Sequence, residues 1–127
     1  MTTWTFDIPK DIPSANVLRR GRTGKANWFR YKRHRQEFAW FIAALAKRVP
    51  RADGARMVKI ERLMGKTGKL YDHDNLVGGA KGLLDELAAA GLLVGDAPHE
   101  VQVEYTQQRG TEREAVTRVT LQDMEES

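Results

Sequence analysis

Three observations predict one small α+β domain, a mixed sheet of about four strands packed with two helices. Apolar residues alternate with polar ones in short segments at the start, middle and end of the chain. Two longer segments repeat apolar residues three and four apart. Turn-forming residues separate every segment from the next. The 127 residues have room for a single core, so one domain over residues 1–127 is expected, the last few residues forming a flexible tail.

Thr3–Ile8 alternates Trp4, Phe6 and Ile8 with Thr3, Thr5 and Asp7, the pattern of a half-buried strand, and Pro9 and Pro13 end it. From Pro13 to about Gly24 turn formers occur without periodicity, which predicts an exposed loop. A helix is predicted from about Lys25 to Val49, with Trp28, Tyr31, Phe38, Phe41, Ile42 and Leu45 inward and Pro50 closing it. A second strand follows over 56–64, with Val58, Ile60 and Arg62 on one face. The polar GKTGK connection then leads into Tyr71-Asp72-His73-Asp74-Asn75. Leu83, Leu84 and Leu87 mark a second helix over about Leu76–Ala90, with Gly91 as its stop. Strands at 101–105 and near 115–121, joined by a turn at Arg109–Gly110, read as a hairpin.

Zero cysteines exclude a disulfide scaffold, thiolate zinc, iron–sulfur clusters and cysteine nucleophiles, and fit a reducing, intracellular and cytoplasmic setting. No segment approaches the ~20 apolar residues of a membrane span, and the N-terminus lacks the charged start and apolar core of a signal peptide.

The net charge of +4 hides an asymmetry. Residues 1–69 carry 17 basic and 5 acidic side chains; residues 70–127 carry 4 basic and 12 acidic. A half this basic points to a polyanion, since Lys and Arg that neutralise phosphates release counterions. The densest stretch, Arg19 to Arg35, holds Arg19, Arg20, Arg22, Lys25, Arg30, Lys32, Arg33 and Arg35 with no acid, interleaved with Trp28, Phe29 and Tyr31. The cations read as a phosphate-binding surface beside which an aromatic could stack a base, although the simpler reading puts Trp28 and Tyr31 in the core. Lys66 and Lys69 could touch a nucleic-acid backbone, although GKTGK is not a phosphate loop. His34, His73 and His99 lack zinc-binding spacing.

The strongest chemical constellation is Asp72-His73-Asp74-Asn75. In extended backbone the two aspartates share a side, and paired carboxylates call for a hard cation such as Mg²⁺. Asp96 could return beside them, and Lys81 and Asp85 share a helix face four residues apart. The simpler readings are that Asp74 or Asn75 caps the helix, that Asp85 is solvated or salt-bridged, and that Asp96 is a turn residue.

The chain resembles the RusA family of Holliday-junction resolvases. The resemblance runs through a Pro13-Ser14-Asn16 loop, an Arg-rich loop and long helix, and then Asp72-x-Asp74-Asn75, Lys81, Asp85, Ala90-Gly91 and Asp96. Lys81 lies six residues after Asn75 where the family has three, so Gly78, Gly79 and Ala80 read as an insertion. Gly95 stands where the family has the first of two aspartates. The resemblance implies that Asp72, Asp74 and Asp96 bind Mg²⁺ (with Mn²⁺ as a substitute) and that Lys81 is the catalytic lysine. It further implies a homodimer that resolves branched DNA by paired incisions, with a phage or prophage origin in keeping; by their charge, Arg19, Arg20, Arg22, Lys25, Arg30, Arg33, Lys66 and Lys69 are expected on the DNA backbone. The alternatives are a nuclease acting on flaps or forks, a junction-binding protein that has lost catalysis, and a structural protein whose basic half binds another protein.

Overall fold

A computed structural model describes residues 2–18, 24–95 and 97–124. Along the chain run β1 (Thr3–Ile8), α1 (Ala15–Leu18), α2 (Gly24–Leu45), β2 (Arg56–Met64), α3 (His73–Gly79), α4 (Lys81–Ala89), β3 (Val101–Arg109) and β4 (Val116–Asp123). The four strands form one mixed sheet in the order β1-β4-β2-β3. Strand β4 is antiparallel to both neighbours, and β2 runs parallel to β3. Parallel neighbours need a long crossover, and α3 and α4 supply it between β2 and β3.

The hairpin expected from the last two strands does not form. The chain turns at Gly110, whose N–H donates to Met64 O, and Lys66 N donates to Glu112 O, so the connection passes over the end of β2. β4 then enters the sheet between β1 and β2. Turn residues between two alternating segments mark a reversal of direction, but not which strand the returning segment pairs with.

Alternation in β2 is strict: Arg56, Val58, Ile60, Arg62 and Met64 are buried, and the residues between them are not. Register lines the inward residues into rows across the sheet. Phe6, Val119, Ile60 and Tyr105 form one row, and Trp4, Leu121, Val58 and Val103 the next. Helices α2 and α4 cover this face through Phe38, Ile42, Leu83 and Leu87, all essentially buried. Each such side chain contributes roughly 1.5–3 kcal/mol through removal from water.

Three expectations on the helical side are corrected. Residues 13–18 are not an exposed loop: Ile12 and Ala15 are buried, and Ala15–Leu18 makes a helical turn beneath α3. The helix expected over 76–90 begins earlier and is broken in two at Ala80. A Cβ on Gly79 would stand 1.7 Å from Pro13 O, so only glycine allows the 13–14 backbone this close. With α1 and that break, the described residues hold four helical segments rather than two. Finally, Trp28 and Phe41 lie outside the core, at 53% and 37% exposure, while Phe38 and Ile42 fill the inward stripe. Gly91, at φ 80°, follows α4 as its expected stop. No helix among the described residues is long and apolar enough to cross a membrane.

Candidate functional site

The Asp72–Asn75 segment sits at the head of α3. Asp72 is extended (φ −67°, ψ 164°) and caps the helix: its carboxylate accepts from Asn75 N at 2.9 Å and Asn75 Nδ2 at 2.8 Å. Asp74 already lies in the first helical turn, so the two aspartates do not occupy alternate positions of one extended segment. The cap is Asp72 rather than Asp74 or Asn75, and both carboxylates are exposed. Asn75 also accepts from Asn16 N at 3.2 Å, tying the α3 head to α1.

A buried guanidinium fixes the segment that leads into this cap. Arg62, 2% exposed, sits in a row of inward positions with Ile8, Thr117 and Gln107. Its Nε and Nη2 donate to the two carboxylate oxygens of Asp11 at 2.7 and 3.0 Å. Its Nη1 donates to Lys69 O at 2.8 Å and Gln107 Oε1 at 3.0 Å. The guanidinium also stacks 3.6 Å from the centroid of the Tyr71 ring. Gln107 closes the frame, accepting from Tyr71 N at 3.0 Å and donating to Tyr71 O at 2.7 Å, and Tyr71 Oη donates to Ile12 O. Burial, with the Asp11 charge adding to it, raises the Tyr71 pKa above its ordinary value. The backbone immediately before Asp72 is therefore held from both sides. Asp11, Tyr71 and Gln107 went unnoticed in the sequence; the available signal was Arg62 itself, a cation in phase with Val58 and Ile60.

Lys81 is exposed at the first position of α4, and Asp85 follows one turn later on the same helix. Asp85 accepts a hydrogen bond from Tyr31 Oη, and the neighbouring Glu86 pairs with Arg35. The Tyr31 hydroxyl is pushed up to about 12, by burial first and by its bond to Asp85 second. These contacts join α4 to α2 and make Asp85 a packing partner, neither purely solvated nor ion-paired. His73 lies edge-on to Tyr105, ring centroids 6.2 Å apart.

Arg19, Arg20, Arg22 and Asp96 lie outside the described residues, as do residues 125–127, and Lys25 is placed only by its backbone in the first turn of α2. Of the remaining cations assigned to DNA, Arg33, Lys66 and Lys69 are exposed, while Arg30 donates to Val17 O at 3.2 Å and so also braces α1. Within the α2 stretch that reads as uncompensated in sequence, Arg35 meets an acid in space, Glu86 of α4. Gly95 faces the Glu100 carboxylate: Glu100 Oε1 lies 2.5 Å from where a Cβ at 95 would stand.

No group of three His, Cys, Asp or Glu side chains among the described residues is arranged to hold a metal ion. The donors at hand, Asp72 and Asp74, are hard, exposed oxygen ligands. Magnesium takes one or two carboxylates and completes its shell with water and substrate phosphate, so the donor type fits. Asp72 uses two of roughly four acceptor sites in capping α3 and keeps the rest. No protein-family model and no curated protein matches the chain.

Proposed function

We propose that the protein is a Mg²⁺-dependent, structure-selective DNA endonuclease that resolves Holliday junctions by paired incision in a homodimer. The observation that carries the reading is the exposed Asp72–Asp74 pair, presented on a helix head whose approach is held by a buried arginine with all three guanidinium nitrogens donating. A segment so constrained holds its side chains in place without substrate, as catalytic positioning requires.

Asp72 and Asp74, with Asp96 by resemblance, would hold the ion, which supplies Lewis acidity toward a bound phosphodiester. Lys81 offers a mobile positive charge for the oxygen that becomes more negative as the phosphate is cleaved. Lys66, Lys69, Arg30 and Arg33, together with Lys25, Arg19, Arg20 and Arg22, would neutralise the backbone of branched DNA.

The test is cleavage of a synthetic four-way junction in Mg²⁺ by the wild type and by Asp74→Asn. The variant is expected to lose activity by roughly a hundredfold or more. Equal rates would remove Asp74 from the site, and faster cutting of flaps or forks would favour a related nuclease. A second reading, a junction-binding protein without incision, is favoured by the break at Ala80, which separates Asp74 from Lys81. It requires salt-sensitive junction binding with no cleavage in either Mg²⁺ or Mn²⁺.

A further inference from the structure

The outward side of α2 carries two features that the carboxylate site leaves unused. Trp28 and Phe29 are 53% and 52% exposed, with their rings packed edge to face at 5.2 Å. Beside Trp28 opens a cavity of about 230 Å³ lined by Trp28, Tyr31, Lys32, Arg35, Gln36 and Glu86. The lining of this cavity narrows the choice of occupant. Two aromatic side chains supply apolar walls. Gln36, Glu86 and Arg35 offer hydrogen-bond donors and acceptors, and Glu86 and Arg35 are already paired with each other, so their charges are balanced. Lys32 supplies the unbalanced charge. Its ammonium lies over the Trp28 ring, 4.9 Å from the centroid, so it must swing aside for a base to stack on that face, and Arg33 follows it in α2.

An apolar slot with a polar edge and a cationic rim is complementary to a nucleobase attached to a phosphate. A duplex offers no unstacked base to fill it. We propose that this cavity between α2 and α4 binds a single unpaired base of DNA. Trp28 stacks on the base, Gln36 and Glu86 meet its edge, and Lys32 and Arg33 hold the flanking phosphates. The site would engage the splayed nucleotides that a branch point or single strand provides. It rests on the nucleic-acid reading above, but on none of the carboxylates.

The test is binding without divalent ions, so that cleavage plays no part. Affinity is measured for oligothymidylate of about a dozen nucleotides, within the usual range of single-strand site sizes, and for a fully abasic strand of the same length. Wild type is expected to prefer the base-bearing strand. Trp28→Ala should lose about tenfold on that strand and little on the abasic one, while Trp28→Phe, which keeps a stacking ring, should retain most of the affinity. Lys32→Ala should weaken both strands alike, and Trp40→Ala, elsewhere on the same helix, neither. The proposal is overturned if wild type does not distinguish the two strands, if Trp28→Ala binds oligothymidylate as wild type does, or if Trp28→Ala weakens both strands equally. Junction cleavage by Asp74→Asn, measured separately, reports on the carboxylate site and leaves this outcome unaffected.

Discussion

The two ends of β2 solve one problem differently. Each buries an arginine at 2% exposure on the inward face, Arg56 at the start of the strand and Arg62 near its finish. Arg56 meets one carboxylate through a single nitrogen, Asp123 at 2.8 Å, and gives its other donors to Leu92 O and Pro50 O, with the Trp4 ring 4.8 Å away. It ties the end of β4 to the connections that precede β2 and follow α4. Arg62 takes a bidentate carboxylate, a backbone carbonyl and a side-chain amide, and two of these partners, Lys69 O and Gln107, bear on the segment that delivers Asp72. Arginine can do both because its planar fork satisfies several acceptors at once, and a buried guanidinium is tolerated only when all are met. The fork of Arg56 therefore serves stability, and that of Arg62 serves stability and the placement of the candidate site.

The largest expected effect follows from removing the charge partners. Asp11→Ala leaves Arg62 buried without its carboxylate and should cost about 3–5 kcal/mol in chemical denaturation. Asp123→Ala leaves Arg56 two carbonyls and should cost about half as much. Equal losses would erase the distinction between the ends. Next, Gly79→Ala drives a methyl into Pro13 O and should cost about 1–3 kcal/mol or more by the same measurement, since backbone has little room to yield. A neutral result would mean that the α1–α3 contact is not close in solution.

The smallest effect concerns pH. The His34 pKa is lowered, by burial first and by the Lys10 charge second, with Lys10 Nζ 3.1 Å from its Nδ1. A histidine depressed in the folded state contributes stability that is present above its unfolded value of about 6.5 and lost as pH falls through the folded value. Thermal melts should therefore weaken below about pH 6.5 in wild type, and less so in His34→Gln. Glu37, held below its usual value chiefly by Lys10, adds loss in the same direction at lower pH.

Much of this was legible locally. The bounds of β1 and β2 follow from alternation that a half-buried strand cannot avoid, and the Gly91 stop from backbone freedom. The sheet order was not legible, because the placement of β4 beside both β1 and β2 depends on long-range pairing that no turn residue encodes. Period alone placed Trp28 in the core, but α4 covers the α2 stripe centred on Phe38 and Ile42, which leaves Trp28 at its margin. The Asp72–Asn75 segment was legible as a constellation but not in geometry. Its extended reading failed because Asp72, once capping Asn75 N, starts the helix one residue later. The frame that holds it, Arg62 with Asp11, Tyr71 and Gln107, joins residues far apart in sequence.

Cleavage of a four-way junction in Mg²⁺ by Asp72→Asn, beside its denaturation curve, tests the central assignment most directly. Asparagine keeps the cap on Asn75 N but cannot also accept from Asn75 Nδ2, so stability should fall by about 1 kcal/mol and the fold should persist. Incision should fall by roughly a hundredfold or more, because the charge that attracts the ion is gone. Wild-type incision retained by a stably folded Asp72→Asn would contradict the account and leave Asp72 as a helix cap alone.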